Sequence, residues 1–202
     1  MRTVLTVFLL LVSSSAWARA YDVSLDNLRD NAEDSALYVG AAQEMALVLA
    51  PLHLGPARTT GHSGFEYILR VSSHNIDEGA EYWPRVFQLE GATNPPDTLR
   101  TTTIEVRKGL PFGVELDTSI TWLENSETIA LGGRLRIGLL EGYQDRYAPD
   151  LSVHASINRM LGSTDLDLTT LATGATMSYR RSLAGRMSMT PYLGYDFMLL
   201  QA

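Results

Sequence analysis

From Phe65 onward the chain alternates apolar and polar residues with a period of two, the spacing at which successive side chains of a strand point to opposite faces of a sheet. The clearest case is residues 105–140. Val114, Leu116, Ile120 and Trp122 fall on one face of a strand, and Glu115, Asp117, Ser119 and Thr121 on the other; the next run sets Ile129, Leu131, Leu135 and Ile137 against Ala130, Gly132, Arg134 and Arg136. A turn at Asn125 and Ser126 joins the two runs as a hairpin in which Leu123 faces Thr128, Glu115 faces Arg136 and Asp117 faces Arg134. The same register pairs Leu116 with Leu135, Ile120 with Leu131 and Trp122 with Ile129. Hydropathy and charge thus select one register, and a slip of one residue would turn every apolar side chain to the other face.

The same period predicts the neighbouring strands. Phe65, Tyr67, Leu69 and Val71 mark one, residues 85–90 a weaker one, and residues 101–107 a third. A turn centred on Pro111 would set Arg107 opposite Glu115 and Glu105 opposite Asp117, so that Arg107, Glu115 and Arg136 form one row across three strands. Residues 150–161 place Leu151, Val153, Ala155 and Ile157 on an apolar face and Ser152, His154, Ser156 and Asn158 on a polar one. A further strand carries Leu171, Ala175, Met177 and Tyr179, and a last one Met187, Met189 and Leu193, which Pro191 confines to an edge or bulge. The result is an all-β, antiparallel, up-and-down arrangement of about eight strands. Residues 21–64 differ: Asp34 or Ser35 caps a helix running to Ala50, where Pro51 stops it. At about sixteen residues it is too short to span a bilayer comfortably, and it either fills the mouth of a barrel or rests on a sheet edge.

Composition narrows the setting. The chain has 202 residues and no cysteine, so neither disulfides nor a thiolate metal site hold it together. A formal net charge of −7 with scattered basic residues argues against a nucleic-acid partner. Arg2, the apolar residues 4–12 and Ala18-Arg19-Ala20 have the form of a secretory signal peptide cleaved before Tyr21. The chain therefore divides into a leader (residues 1–20), a helical and loop segment (residues 21–64) and a β-domain (residues 65–202).

Alternation leaves open which face meets water. A closed barrel with its apolar face outward is an outer-membrane protein, whereas the inverse is a secreted lipocalin-like barrel that binds an apolar ligand, or a sandwich. Strands of nine to eleven residues, the aromatic residues Trp122, Tyr179, Tyr67 and Trp83 near strand ends, the paired charges and the leader favour the membrane. The chain also resembles Gram-negative outer-membrane β-barrel proteins, in particular uncharacterised ones carrying a Val-Arg-Lys-Gly-Leu-Pro-Phe element, here residues 106–112. The resemblance runs from Ala50-Pro51 to Tyr192-Leu193-Gly194-Tyr195 and includes Leu166-Asp167-Leu168-Thr169-Thr170. It implies the transmembrane barrel fold, the outer membrane as location and its lipid as partner, with no activity attached. Such chains commonly end in a strand with a terminal aromatic residue, whereas this sequence ends Leu199-Leu200-Gln201-Ala202, so that either the closing strand is atypical or a longer parent chain has more strands.

On this view Glu105, Arg107, Glu115, Asp117, Arg134 and Arg136 face the lumen. In a barrel of eight strands they would bridge and fill it, giving a structural role, whereas more strands would open a narrow, porin-like channel in which they bias ion selectivity. The best candidate for catalysis is His154 with Ser156, as an acyl-transfer pair of the kind some outer-membrane lipid deacylases place on one strand. The pair shares its face with Asn158, however, and no carboxylate can be assigned to orient the histidine. The non-enzymatic assignment is therefore preferred. His53, His62, His74 and His154 are dispersed and show no metal-ligand spacing. No cofactor is implied, and no pattern specifies an oligomer.

Overall fold

The computed structural model describes residues 34–50, 53–87, 95–124, 126–141, 148–163, 166–183 and 187–202; the leader, Asn125 and the strand expected beyond Phe87 lie outside them. The first described element is helix α1 (Asp34–Leu49), close to the predicted span. Strand β1 (Phe65–Asn75) and the short helix α2 (Trp83–Val86) follow. Next come β2 (Thr98–Gly109), β3 (Val114–Leu123), β4 (Ile129–Leu140), β5 (Asp150–Leu161) and β6 (Thr169–Ser178). A small hairpin, β7 (Arg181–Leu183) and β8 (Met187–Met189), precedes the last strand, β9 (Tyr192–Gln201).

Among these residues, seven strands form one sheet in the order β1-β2-β3-β4-β5-β6-β9, curled into a half-barrel. Every neighbouring pair is antiparallel. Six antiparallel steps leave the two outer strands, β1 and β9, running in the same direction. Neither outer strand contains a buried residue, whereas β2 to β6 bury positions in alternation. The strand expected through Met187, Met189 and Leu193 is divided at Pro191, which cannot donate to a ladder, into β8 and the start of the ten-residue β9. Tyr179 bonds the Pro191 carbonyl across this break.

The polar face is the buried one. Glu115 and Arg136 are 0% and 1% exposed, while Leu69 and Tyr195 on the opposite face are 71% and 76% exposed. At one end of the concave face the inward positions turn apolar. Leu99, Leu123, Ala130, Met160 and Leu168 there form the core with Ala41, Ala42, Met45, Ala46 and Leu49 of α1 and with Trp83, Val86 and Phe87. The alanines of α1 let its backbone approach, and Asn158 fixes its end by donating to the Leu49 carbonyl at 2.7 Å. The helix therefore fills the mouth of the half-barrel rather than resting on an edge.

Two expectations fail here. Arg85 and Val86 lie in a helix, not a strand, because Pro84 stands at its first positions, where a missing N–H and a preset φ favour a helical start. Trp83 is fully buried and bonds Glu44 of α1 at 2.8 Å, so it belongs to the core rather than to an exposed aromatic rim.

Candidate functional site: the charged concave wall

Antiparallel pairing stacks the inward residues into rows that cross the sheet. One row runs Gly109, Glu115, Arg136, His154, Gly174, Asp196, and the next runs Glu66, Arg107, Asp117, Arg134, Ser156, Ala172. The β3–β4 hairpin has the predicted register at every pair, Glu115 with Arg136 and Asp117 with Arg134 included. Leu123 bonds Thr128 across its turn at 3.1 Å.

The β2–β3 register differs from the expected one by two residues. Arg107 faces Asp117, Glu105 faces Ser119, and Glu115 faces Gly109, so the row of Arg107, Glu115 and Arg136 does not exist. The cause is the turn: Leu110 pairs with Val114 around three residues, Pro111–Gly113, which centres it on Phe112. Phe112 and Gly113 both take positive φ, at 64° and 69°, and Phe112 is 97% exposed.

All six predicted charges nevertheless converge. Arg136 pairs with Glu115. Arg134 lies 3.1 Å from Asp117 and 3.5 Å from Glu105. Arg107 lies 2.6 Å from Glu105 and 3.3 Å from Glu66, and Arg70 reaches Glu105 at 3.2 Å. Side-chain exposure does not exceed 5% for any of the six, so each charge is offset by a partner, without which burial would be prohibitive. Three arginines against three carboxylates leave this ladder neutral in itself.

The connector after α1 runs along the same wall. His53 accepts from Arg136 at Nε2 (2.9 Å) and lies 3.4 Å from Arg134 at Nδ1. The Pro56 carbonyl accepts from Arg136 at 3.0 Å, and Ala57 donates to Ser178 Oγ at 3.0 Å. Thr59 donates to Glu141 at 3.1 Å, and Thr60 to Glu115 at 2.6 Å. Burial, Arg136, Arg134 and Arg107 together push the His53 pKa down to about 2, so the ring is neutral at ordinary pH. Nothing in the local sequence at His53 pointed to this role.

His154 and Ser156 lie on the concave face, 5% and 7% exposed. The carboxylate that sequence spacing could not assign is Asp196, whose Oδ1 lies 2.5 Å from His154 Nε2. The two residues meet across β6 because Gly174 stands between them: a Cβ there would lie 2.3 Å from Asp196 Oδ1 and 2.9 Å from His154 Cε1. Ser156 Oγ and His154 Nδ1 are buried and bond to no described residue, so the hydroxyl is not coupled to the imidazole as a nucleophile would be. The histidines are less dispersed than their spacing suggests, since the rings of His53 and His154 lie 5.8 Å apart; His74 bonds Thr101 elsewhere. No family model, curated protein or solved structure matches this chain.

Proposed function

We propose that the protein is an outer-membrane β-barrel whose interior is filled by its own charge ladder and by the connector after α1, and that its role is structural rather than that of an open pore. The observation that carries this is the inversion of hydropathy: the ladder is buried and the apolar face is exposed along the sheet. In water such a surface is costly, whereas in lipid it is the required one. Strands of ten to twelve residues suit a tilted crossing. An apolar ligand inside the curl would meet paired charges instead of a greasy wall, which disfavours the lipocalin-like alternative.

A sheet in lipid cannot keep open edges, because unpaired backbone groups have no water to bond. Since β1 and β9 run in the same direction, antiparallel closure between them takes an odd number of additional strands, one at the least. Closed by one strand, the barrel has the width at which side chains fill the interior.

Fractionation of expressing Gram-negative cells tests the location. The protein is expected in the outer-membrane fraction and released by detergent alone; folded protein recovered from the periplasm without detergent would refute the barrel. Planar-bilayer recording tests the role, with no steady conductance expected. A stable open channel would overturn the filled interior while leaving the location intact.

A further inference from the structure

We propose that residues 53–60 form an acid-released strap: His53 latches the strap to the concave wall, and protonation of its imidazole frees it and admits water to the charge ladder. The inference deepens the filled-interior reading above and rests on it.

The strap is held differently from the strands it crosses. Its bonds run to side chains or rim groups on several elements, Arg136, Ser178, Glu141 and Glu115 among them, and not to a backbone ladder. Arg58 adds a bond to the Glu141 carbonyl at 3.1 Å and an ion pair with Asp150 at 3.6 Å. Such bonds can be exchanged for water without unpairing a strand. Helix α1, by contrast, is seated by an apolar cluster, which acid leaves in place.

The groups around His53 make it the acid-sensitive point. Arg136 and Arg134 of β4 bond or approach its two ring nitrogens, and Arg107 of β2 acts on it through its charge. The His154 ring of β5 stands 5.8 Å away, itself bonded to Asp196 of β9. From the strap itself, the Pro56 carbonyl lies 3.4 Å from Nε2. Of the nearby carboxylates, Glu115, Asp117 and Glu105 are already engaged by Arg136, Arg134 and Arg107. A neutral imidazole has one lone pair with which to accept from Arg136; a protonated one has none and adds a cation beside three others. The cost falls on the latched state alone, since a released ring meets water and regains an ordinary pKa near 6.5.

Linkage gives the size of the effect. With His53 held neutral in the latched state and ordinary when released, the ratio of released to latched strap rises on the order of a hundredfold between about pH 7.5 and about pH 4.5. The absence of native cysteine makes single-cysteine variants clean reporters. Ala57→Cys would be labelled in the folded protein in detergent with a water-soluble pyridyl disulfide, which reacts at acid as well as neutral pH. Phe112→Cys, at a 97% exposed turn, is the reference for reagent chemistry, and Ala46→Cys in α1 reports whether the helix stays seated. Thr59→Cys supplies a second strap position in case one variant does not fold.

The expected result is a labelling rate at the strap, relative to Phe112→Cys, that rises tenfold or more on acidification. Ala46→Cys should stay protected, and the rise should vanish with His53→Gln. A flat ratio, an equal rise in His53→Gln, or Ala46→Cys opening in step with the strap would each overturn the latch. Because labelling requires a folded chain and not a bilayer, failure of the latch is distinct from failure of the membrane assignment, which fractionation decides.

Discussion

Among the described residues Arg136 meets the Glu115 carboxylate, the His53 ring and the Pro56 carbonyl, and it is 1% exposed. Arg136→Met should lower stability by about 3–5 kcal/mol, because it leaves Glu115 buried without its cation. Adding Glu115→Leu should recover much of that loss, and urea unfolding of both variants in detergent measures the difference. Recovery of nothing would mean that the strap bonds, not the ion pair, dominate. Gly174→Ala should cost about 1–3 kcal/mol by overpacking and separate His154 from Asp196, which the histidine ring resonances would report. The pH dependence has a definite sign. The His53 pKa is below its ordinary value in the folded chain, so the unfolded chain binds the proton more readily. Stability is therefore full above about pH 6.5 and falls with acidification by at most about 1.4 kcal/mol per pH unit. His53→Gln should remove the His53 contribution to that slope. The six charges were legible as one polar face because alternation fixes faces. His53 and Asp196 were not, because one lies outside the alternating region and the other meets its partner across an intervening strand, at a glycine that carries no signal of the contact.

At the scale of elements, the two hairpins around β3 show what makes a register legible. For β3 and β4, charge pairing and apolar pairing independently demand one alignment, and the structure has it. For β2 and β3 the alignment depended on the turn, and Leu-Pro-Phe-Gly does not announce that Phe112, an aromatic residue, takes positive φ. Shifting by two residues keeps every side chain on its face, so hydropathy could not detect the error. Gly113→Ala should cost about 1–2 kcal/mol, since its φ is left-handed and its Cβ would lie 3.1 Å from the Gly138 carbonyl. Gly133→Ala should instead be neutral or stabilising by about 0.5–1 kcal/mol, because the nearest atom to its Cβ is Ile157 Cγ2 at 4.0 Å. Thermal melts of the two variants compare them directly. The span of α1 was readable to within about two residues from its apolar run and the Pro51 stop, although Asp34 and Ser35, expected as caps, lie within the helix; its seat was not, because apolar residues occur all around it.

At the scale of the molecule, seven antiparallel strands, a buried polar wall and an exposed apolar one pose a single question, which solvent the convex face meets. Alternation alone is symmetric between the two answers; the sheet curls around the charges with α1 and the strap inside, and the membrane reading proposed above rests on that curl. On the proposed account the outer edges of β1 and β9 are paired in the membrane, so amide exchange in lipid vesicles should find both strands as protected as β4, and rapid exchange at either would contradict closure. The most direct test is Leu135→Arg. Leu135 lies mid-strand on the convex face, opposite Leu116 and Ala155, and is 44% exposed. If that face lies in lipid, the substitution should cost about 2–4 kcal/mol of folding stability in bilayer vesicles. A variant as stable as the parent in vesicles, or a parent that folds and stays monomeric in water without lipid or detergent, would contradict the account.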